Sequence, residues 1–370
     1  MTDTNDIIMT ADPGAGYRAH RDAIDSAVAR VLASGWYVLG KEGESFEAEF
    51  SAYQECGHTI GVANGTDAIE LALQALGVGP GYRVATVANT VTATVAAICA
   101  TGATPVFVEI DDATMVMDVS ALEDVLLTGS IDAIVPVHLY GQPVDMPAVM
   151  RLATEHGCKV VEDCAQAHGA TIGGRRVGTW GHAAAFSFYP TKNLGALGDG
   201  GAVFTRDTAL AEEVRARRQY GWKQRYDAVG PGRNSRLDEI QAAILRARLP
   251  FLESENRVRR DWAARYDAAL ADFEWRLPAK VAGTVSAYHQ FTVRSPRRDA
   301  WAARLREHGI LAGILYPVPV HRQAAHRVVD LSLPVTERAC SEVLCLPVHP
   351  QLSGAEIDRV IAVLKKGLSP

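Results

Sequence analysis

Short apolar runs alternate with helical patterns up to residue 205, and this alternation constrains the fold more than any other feature of the sequence. Short strands separated by helices are typical of α/β proteins, in which a mostly parallel sheet carries helices on both faces. The runs that we interpret as strands are 58–63, 83–87, 105–109, 133–137, 159–162, 184–188 and 201–205. Ligands of such sheets bind beyond the carboxyl ends of the strands, so we expect the chemistry there.

The pattern changes after Asp207, where longer and Arg-rich helical segments predominate. Pro250 interrupts the helical pattern of residues 237–270, which indicates a domain boundary nearby. The sequence therefore predicts a large α/β domain over residues 1–250 and a smaller α+β domain over residues 251–370. In the smaller domain we expect a strand at 288–293 and helices at 300–308, 337–344 and 355–365.

Composition excludes several classes of function. The chain has 37 Lys and Arg against 43 Asp and Glu, a net charge of −6, and its basic residues are scattered. A nucleic-acid partner is not expected, because phosphate binding needs a concentrated positive surface. No apolar run is long enough to span a membrane, and the N-terminus lacks the order of a signal peptide. We expect a cytoplasmic protein.

Cysteine and histidine spacings give no sign of a metal site. The six cysteines form no C-x-x-C pair, and the eleven histidines form no H-x-x-x-H or H-E-x-x-H pattern. We expect all six cysteines to be reduced and packed as small hydrophobic residues.

Lys192 is the strongest catalytic candidate. It follows a predicted buried strand and precedes a glycine-dense loop, in which backbone approaches a ligand closely. Partly apolar surroundings disfavour the charged amine and make it a better nucleophile toward carbonyl groups. A single lysine in a loop is more often merely exposed, so the interpretation depends on what else lies at this edge.

Two further groups are expected at the same edge. Asp163 directly follows the predicted strand 159–162 and is able to hold a protonated ring nitrogen, although an N-cap or a structural ion pair is the more common explanation of such a residue taken alone. The turn at 63–67 offers Gly65 and Thr66 at a helix N-terminus as a phosphate site, although it also fits an ordinary capped helix. A Schiff-base lysine, a ring-nitrogen acid and a phosphate site completed by Ser187 together describe a pyridoxal phosphate site.

The motifs resemble the DegT/DnrJ/EryC1/StrS nucleotide-sugar aminotransferases, a branch of the fold-type-I pyridoxal phosphate enzymes. The resemblance covers nearly the whole chain. The matching segments are 34–40 (SGWYVLG), 64–68 (NGTDA), 136–141 (PVHLYG), 161–170 (VEDCAQAHGA), 187–195 (SFYPTKNLG), 198–201 (GDGG), 234–239 (NSRLDE), 315–321 (LYPVPVH) and 346–347 (LP).

The resemblance implies a role for each matching residue. Lys192 would form the Schiff base and move the proton, and Asp163 would pair with the pyridinium. The other implied cofactor contacts are Gln166 beside the ring, Gly65, Thr66 and Ser187 at the phosphate, and Asn234 supplied by a neighbouring subunit. The implied sugar contacts are Tyr189, Tyr316 and His321. A homodimer with shared active sites is the expected unit.

The resemblance also implies the reaction, in which L-glutamate gives its amino group to a keto group of a nucleotide-linked sugar. Residues 219–226 and 234–239 most resemble enzymes that aminate C3 of a dTDP-3-keto-6-deoxyhexose. A 4-keto substrate and a non-catalytic, cofactor-binding sensor remain alternatives, whereas Lys192 argues against a sugar dehydratase, which carries His there. Val91 departs from the family, which usually has an aromatic residue at this position to stack on the cofactor ring.

Overall fold

The computed structural model describes residues 7–368, so the outermost residues of both predicted domains lie outside the described part. The helices are α1 Pro13–Ala19, α2 Arg21–Ser34, α3 Lys41–Tyr53, α4 Gly65–Ala75, α5 Thr92–Ala100, α6 Val119–Thr128, α7 Met146–His156, α8 Thr208–Arg217, α9 Glu239–Arg248, α10 Leu252–Leu270, α11 Arg298–Glu307, α12 Pro334–Glu342 and α13 Gly354–Lys365. Within residues 7–368, none of the helices has both the length and the apolar character needed to cross a bilayer.

The strands form one large sheet and several small ones. They are β1 Ile8–Met9, β2 His58–Val62, β3 Arg83–Val87, β4 Thr104–Val108, β5 Ala133–Val135, β6 Lys159–Asp163, β7 Thr171–Ile172, β8 Arg175–Arg176, β9 Ala183–Ser187, β10 Gly201–Thr205, β11 Trp222–Gln224, β12 Asp227–Ala228, β13 Thr284–Val285, β14 Phe291–Arg294, β15 Ile310–Leu311 and β16 Val343–Leu346.

The large sheet has seven strands in the order β2-β10-β9-β6-β5-β3-β4. The pairs among β9, β6, β5, β3 and β4 are parallel, and β10 is antiparallel to both of its neighbours. Its seven strands are the seven that the apolar runs predict, with ends that differ by at most two residues. The predicted α/β class with a mostly parallel sheet is confirmed.

Helices cover both faces of this sheet, and successive strand residues pack against opposite layers. Val84 and Val161 contact a cluster with α4, α5 and α8, whereas Ala85 and Val160 contact a cluster with α6 and α7. Because side chains alternate along a strand, burial on both faces requires the continuous apolar runs that the sequence shows. The sheet therefore forms a rigid base for the loops at its carboxyl edge.

Phenylalanines fix the strand that leads to Lys192. Phe50 of α3 lies edge-on to Phe186 and Phe188, with ring centroids 5.0 and 5.6 Å apart. All three rings are at most 1% exposed. Edge-to-face aromatic packing adds to the free energy of burial, so this cluster holds the end of β9 in place.

Two expectations require correction. The helix predicted at 337–344 ends at Glu342, because Val343 adopts an extended conformation and begins β16, which pairs with β14. The cysteines are free, but Cys56 and Cys99 are exposed rather than packed. The predicted interruption of the helical pattern 237–270 at Pro250 is confirmed, because Pro250 lies in the 3₁₀ turn between α9 and α10. The domain boundary near residue 250 stays a prediction.

Replacing Phe50 with Ala tests the aromatic cluster. We expect Phe50→Ala to lower the free energy of unfolding by about 3–5 kcal/mol, because it leaves a cavity among rings that do not collapse onto it. Urea unfolding followed by circular dichroism measures the change. Leu127→Ala is the control, since Leu127 is 71% exposed, and it should cost less than about 0.5 kcal/mol. An equal loss of unfolding free energy in the two variants would contradict the structural role given to the aromatic cluster.

Candidate active site

Lys192 lies at the carboxyl edge of the sheet, in the loop after β9. Its backbone N–H donates to the carbonyl of Tyr189 at 2.8 Å, which closes a tight turn after the strand. Burial lowers the pKa of Lys192 to about 8, and the carboxylate of Asp163 opposes this shift. At this pKa about a tenth of the lysine is neutral, reactive amine at pH 7, far more than at the ordinary lysine pKa of about 10.4.

Asp163 ends β6, the strand beside β9, and is 3% exposed. Burial raises the pKa of its carboxyl group, whereas hydrogen bonds and the charge of Lys192 lower it. Its Oδ1 accepts from the backbone N–H of Ala165 at 3.1 Å, and its Oδ2 accepts from Thr94 Oγ1 at 2.8 Å. These donors favour the ionised form, which is the form that pairs with a cation.

The N-terminus of α4 meets the end of β9. Asn64 caps the helix by accepting from the backbone N–H of Asp67 at 2.8 Å, and the first N–H groups of a helix have no intrahelical partner. A Cβ at Gly65 would lie 2.7 Å from the Cβ of Ser187, so only glycine fits this close approach. The amides of Gly65 and Thr66 and the hydroxyl of Ser187 thus form a compact cradle for an anion such as phosphate.

Gln166 and Tyr316 approach the same edge. Gln166 is buried, its Oε1 accepts from the backbone N–H of Tyr140 at 2.7 Å, and its Nε2 donates to the Tyr316 hydroxyl at 3.1 Å. Burial and the charge of Asp163 raise the pKa of Tyr316 to about 12. Gln166 therefore ties the loop that carries Tyr316 to the strand end that carries Asp163.

The other candidates lie in different surroundings. Tyr189 is 53% exposed, beside Lys192 in the same loop. Asn234 is exposed to solvent. His321 is fully buried, and its Nε2 lies 3.0 Å from a carboxylate oxygen of Glu337. The contact with Glu337 makes His321 an anchor of its own loop in this structure.

Sequence reasoning missed a buried polar network behind Lys192. Asn193 Nδ2 donates to Asn256 Oδ1 and to the carbonyl of Ala287, both at 2.8 Å, and His289 Nδ1 lies 3.2 Å from Asn193 Oδ1. The network joins the lysine loop to α10 and to the segment before β14. The one sequence feature that could have pointed to this network is that Asn193 directly follows Lys192.

His138, Glu162 and Cys164 place possible metal ligands within 4.8 Å of one another. Their geometry has a structural explanation. Glu162 accepts from the backbone N–H groups of Gly178, Trp180 and Gly181, each at 2.7 Å, and lies 3.1 Å from His138 Nε2. His138 Nδ1 in turn accepts from the backbone N–H of Val144 at 3.0 Å, so these groups hold loops in place.

Val91 precedes α5 as its N-cap residue and is half-buried. The residues present fit pyridoxal phosphate in three respects. The glycine cradle fits a phosphate, the buried carboxylate fits a ring cation, and the amine of lowered pKa fits an aldehyde. Any contact that Val91 makes with the ring would be aliphatic.

Comparisons with known proteins agree with this geometry. Residues 19–365 match the family model described as the DegT/DnrJ/EryC1/StrS aminotransferase family. The chain is 47% identical over 360 residues to the erythromycin biosynthesis sensory transduction protein EryC1 of Saccharopolyspora erythraea, covering 96% of this chain and 98% of that protein. It is also 47% identical over 359 residues to dTDP-3-amino-3,4,6-trideoxy-alpha-D-glucose transaminase of Streptomyces venezuelae, covering 96% and 94%.

Among solved structures, the chain resembles that of S. venezuelae DesV in complex with a ketimine intermediate. The TM-score is 0.94 at 46% identity, over 97% of this chain and 98% of that chain. The family resemblance seen in the sequence, the enzyme class and the cofactor, pyridoxal 5′-phosphate, are thereby confirmed. The individual site residues stay predictions, which the geometry above makes testable.

The reactivity of Lys192 should follow its lowered pKa. We expect the rate at which the apoprotein incorporates pyridoxal phosphate to rise with pH through about 8, because only the neutral amine attacks the aldehyde. Asp163→Asn should move the midpoint lower, since it removes the negative charge that favours the ammonium form. Stopped-flow absorbance measures both rates. A midpoint near 10, the ordinary value for lysine, would contradict the burial argument.

Proposed function

Because this chain belongs to the DegT/DnrJ/EryC1/StrS aminotransferase family, we propose that it transfers an amino group from L-glutamate to a keto group of a nucleotide-linked sugar. The proposed acceptor carbon is C3 of a dTDP-3-keto-6-deoxyhexose. The observation that carries the proposal is the convergence of Lys192, Asp163 and the cradle formed by Gly65, Thr66 and Ser187 at one sheet edge.

The division of labour among the residues follows from their surroundings. Bound pyridoxal phosphate supplies an electron sink that stabilises a carbanion at the amino-bearing carbon. Lys192 accepts and returns the proton at that carbon, a role that suits an amine whose pKa is about 8. The Asp163 carboxylate keeps the ring nitrogen protonated. Gly65, Thr66 and Ser187 hold the phosphate, and Gln166 packs beside the ring.

The proposed substrate class is supported by the similarity to the S. venezuelae dTDP-3-amino-3,4,6-trideoxy-alpha-D-glucose transaminase. Tyr189 and Tyr316 flank Lys192 and Asp163, so we propose them as contacts for the sugar nucleotide. His321 has a weaker claim, because its Nε2 is engaged by Glu337 and an approach to substrate would require its loop to move. We propose that the enzyme acts in the cytoplasm.

A second copy of the chain is part of the proposal. Several loops expose apolar side chains, and three of these side chains belong to residues that adjoin the segment 233–241. The exposed residues include Trp36, Tyr37, Tyr189, Leu197, Tyr220, Tyr226 and Val229. Backbone contacts connect three of these to the segment. Tyr37 O accepts from Glu239 N, Tyr220 N donates to Arg233 O, and Leu197 N donates to Gln241 Oε1. An apolar patch of this kind is typical of an interface between subunits.

The contacts of its two neighbours hold Asn234 so that its side chain faces away from helix α4 of the same subunit. Ser235 Oγ donates to Asp67 Oδ2 at 2.6 Å and accepts from Ala63 N, and the Arg233 side chain pairs with Glu70. Both neighbours of Asn234 therefore contact α4, and alternation along an extended chain directs Asn234 to the opposite side. An exposed amide within an apolar interface fits a contact with the cofactor phosphate of a second subunit.

The amino donor is tested without any sugar. Holoenzyme mixed with L-glutamate alone should release about one 2-oxoglutarate per active site, because the first half-reaction of a ping-pong transfer is complete by itself. Enzymatic measurement of 2-oxoglutarate checks this. Adding a dTDP-3-keto-6-deoxyhexose should then restart release, whereas a 4-keto isomer should not. Restart with the 4-keto sugar alone would move the proposed site of amination to C4.

Lys192→Ala should abolish this release, while Lys159→Ala, which changes an exposed lysine at the start of β6, should leave it unchanged. If the wild type released no keto acid with any amino donor, the result would favour a cofactor-binding sensor. Near-normal release from Lys192→Ala would show that another group moves the proton.

Shared active sites are tested by mixing two inactive variants. In a hybrid of Lys192→Ala with Asn234→Ala, one of the two sites combines a wild-type lysine with the other subunit's wild-type asparagine. Random mixing after dissociation should therefore restore about a quarter of wild-type activity, since about half of the dimers are hybrids. No recovery in hybrids, whose formation light scattering and a tag on one variant verify, would mean that Asn234 serves its own subunit.

A further inference from the structure

Two buried threonines lie behind Asp163 at the start of α5. Thr94 Oγ1 donates to Asp163 Oδ2 at 2.8 Å, and Thr90 Oγ1 lies 2.9 Å from Thr94 Oγ1. Thr94 is fully buried and Thr90 is 1% exposed. The three side chains form a chain of hydrogen bonds that ends on the carboxylate proposed to hold the cofactor ring.

The order of protons in this chain follows from counting donors. An ionised carboxylate only accepts, so the single hydroxyl proton of Thr94 goes to Asp163. Thr94 then has no proton left for Thr90, and Thr90 must donate to Thr94. A hydroxyl that accepts one hydrogen bond becomes a stronger donor in the next, so Thr90 strengthens the bond from Thr94 to Asp163.

We propose that Thr94, supported by Thr90, is a positioning residue that keeps the Asp163 carboxylate ionised and aimed at the cofactor ring. The inference rests on the proposed role of Asp163. The groups that lower the pKa of buried Asp163 are hydrogen bonds from Ala165 and Thr94 and the charges of Lys192 and His138, so these must offset the cost of burying its charge. A hydrogen bond to an ionised group is stronger than one between neutral groups, so the Thr94 hydroxyl supplies a substantial part of the stabilisation of the Asp163 charge.

Other titratable groups also face Asp163. They are Lys192 from the loop after β9, His138 from the loop after β5, Cys164 directly after β6, and Tyr316 from the loop between β15 and α12. Helix α5, which carries Thr94, contributes no charged residue. Burial raises the pKa of the Cys164 thiol well above its usual value and raises the pKa of Tyr316 to about 12, so neither group loses its proton in mildly acidic solution.

Binding of pyridoxamine 5′-phosphate to the apoenzyme tests the inference. This probe has the ring and phosphate of the cofactor but an amine in place of the aldehyde, so Lys192 does not bond to it. Its affinity should fall as the pH drops through the pKa of Asp163, because a protonated carboxyl group no longer attracts the ring cation. Fluorescence titration measures the affinity at each pH, and circular dichroism verifies folding.

Thr94→Val keeps the shape of the side chain and removes its donor. We expect the acidic fall in affinity to begin about one pH unit higher than in the wild type. At pH values within the fall, the affinity of Thr94→Val should be about 10-fold lower than that of the wild type. At alkaline pH the affinity should equal that of the wild type, since the carboxylate is then ionised in both. Thr94→Ser should restore the wild-type profile, and Thr90→Val should give a smaller shift in the same direction.

Thr86→Val is the matched control, because Thr86 is a fully buried threonine whose hydroxyl donates to the carbonyl of Val135. It should leave the pH profile in place. An affinity that falls equally at all pH values in Thr94→Val, or a profile identical to the wild type, would overturn the inference.

Asp163→Asn separates the two levels of the proposal. The acidic fall should disappear in this variant, which assigns it to Asp163 rather than to His138. If the fall persists, the proposed role of Asp163 is wrong and the inference fails with it. If the fall disappears in Asp163→Asn but does not move in Thr94→Val, only the role of Thr94 is overturned.

Discussion

Burial of opposite charges at one sheet edge is the constraint on which the site depends. Lys192 and Asp163 lie at the ends of adjacent strands, and burial disfavours the charged form of each. Burial lowers the pKa of Lys192 and thereby makes its amine reactive. Burial also raises the pKa of Asp163, which, if unopposed, would remove the negative charge that a cationic ring requires. The structure therefore has to treat the two groups differently, and it does so by supplying hydrogen-bond donors to Asp163.

The scaffold beneath these groups holds the strand ends with a second carboxylate. Glu162 lies on the other side of β6 from Asp163. Its carboxylate accepts hydrogen bonds from three backbone N–H groups of residues 178–181 and lies within hydrogen-bond distance of the ring of His138. A buried carboxylate with that many donors is well satisfied, so it rigidifies the segment between β6 and β9. The distance between Asp163 and the lysine loop is fixed by this segment together with the aromatic cluster around Phe50.

The strands were predictable because they depend on local pattern, and the same pattern identified the main candidate site residues. Continuous apolar runs identify strands buried on two faces, and Lys192, Asp163 and Gly65 follow such runs directly. Thr94 and His289 were not predictable, since their importance arises from contacts 69 and 96 residues away in sequence. The strand at Val343–Leu346 was missed because a helical pattern extended into it and its pairing with β14 decides its conformation.

Helix α5 explains how one element serves both packing and chemistry. It is apolar and uncharged, it packs against α4 and β4, and its first turn lies against Asp163. A charged donor at Thr94 would place a second cation beside a site that must already accept a ring cation, and an apolar residue would leave the carboxylate under-satisfied. A hydroxyl supplies one donor without charge, and Thr90 polarises it. Val91, between Thr90 and the start of α5, extends the same uncharged surface. In the proposed site this wall would act on the cofactor ring through shape and through the single proton of Thr94.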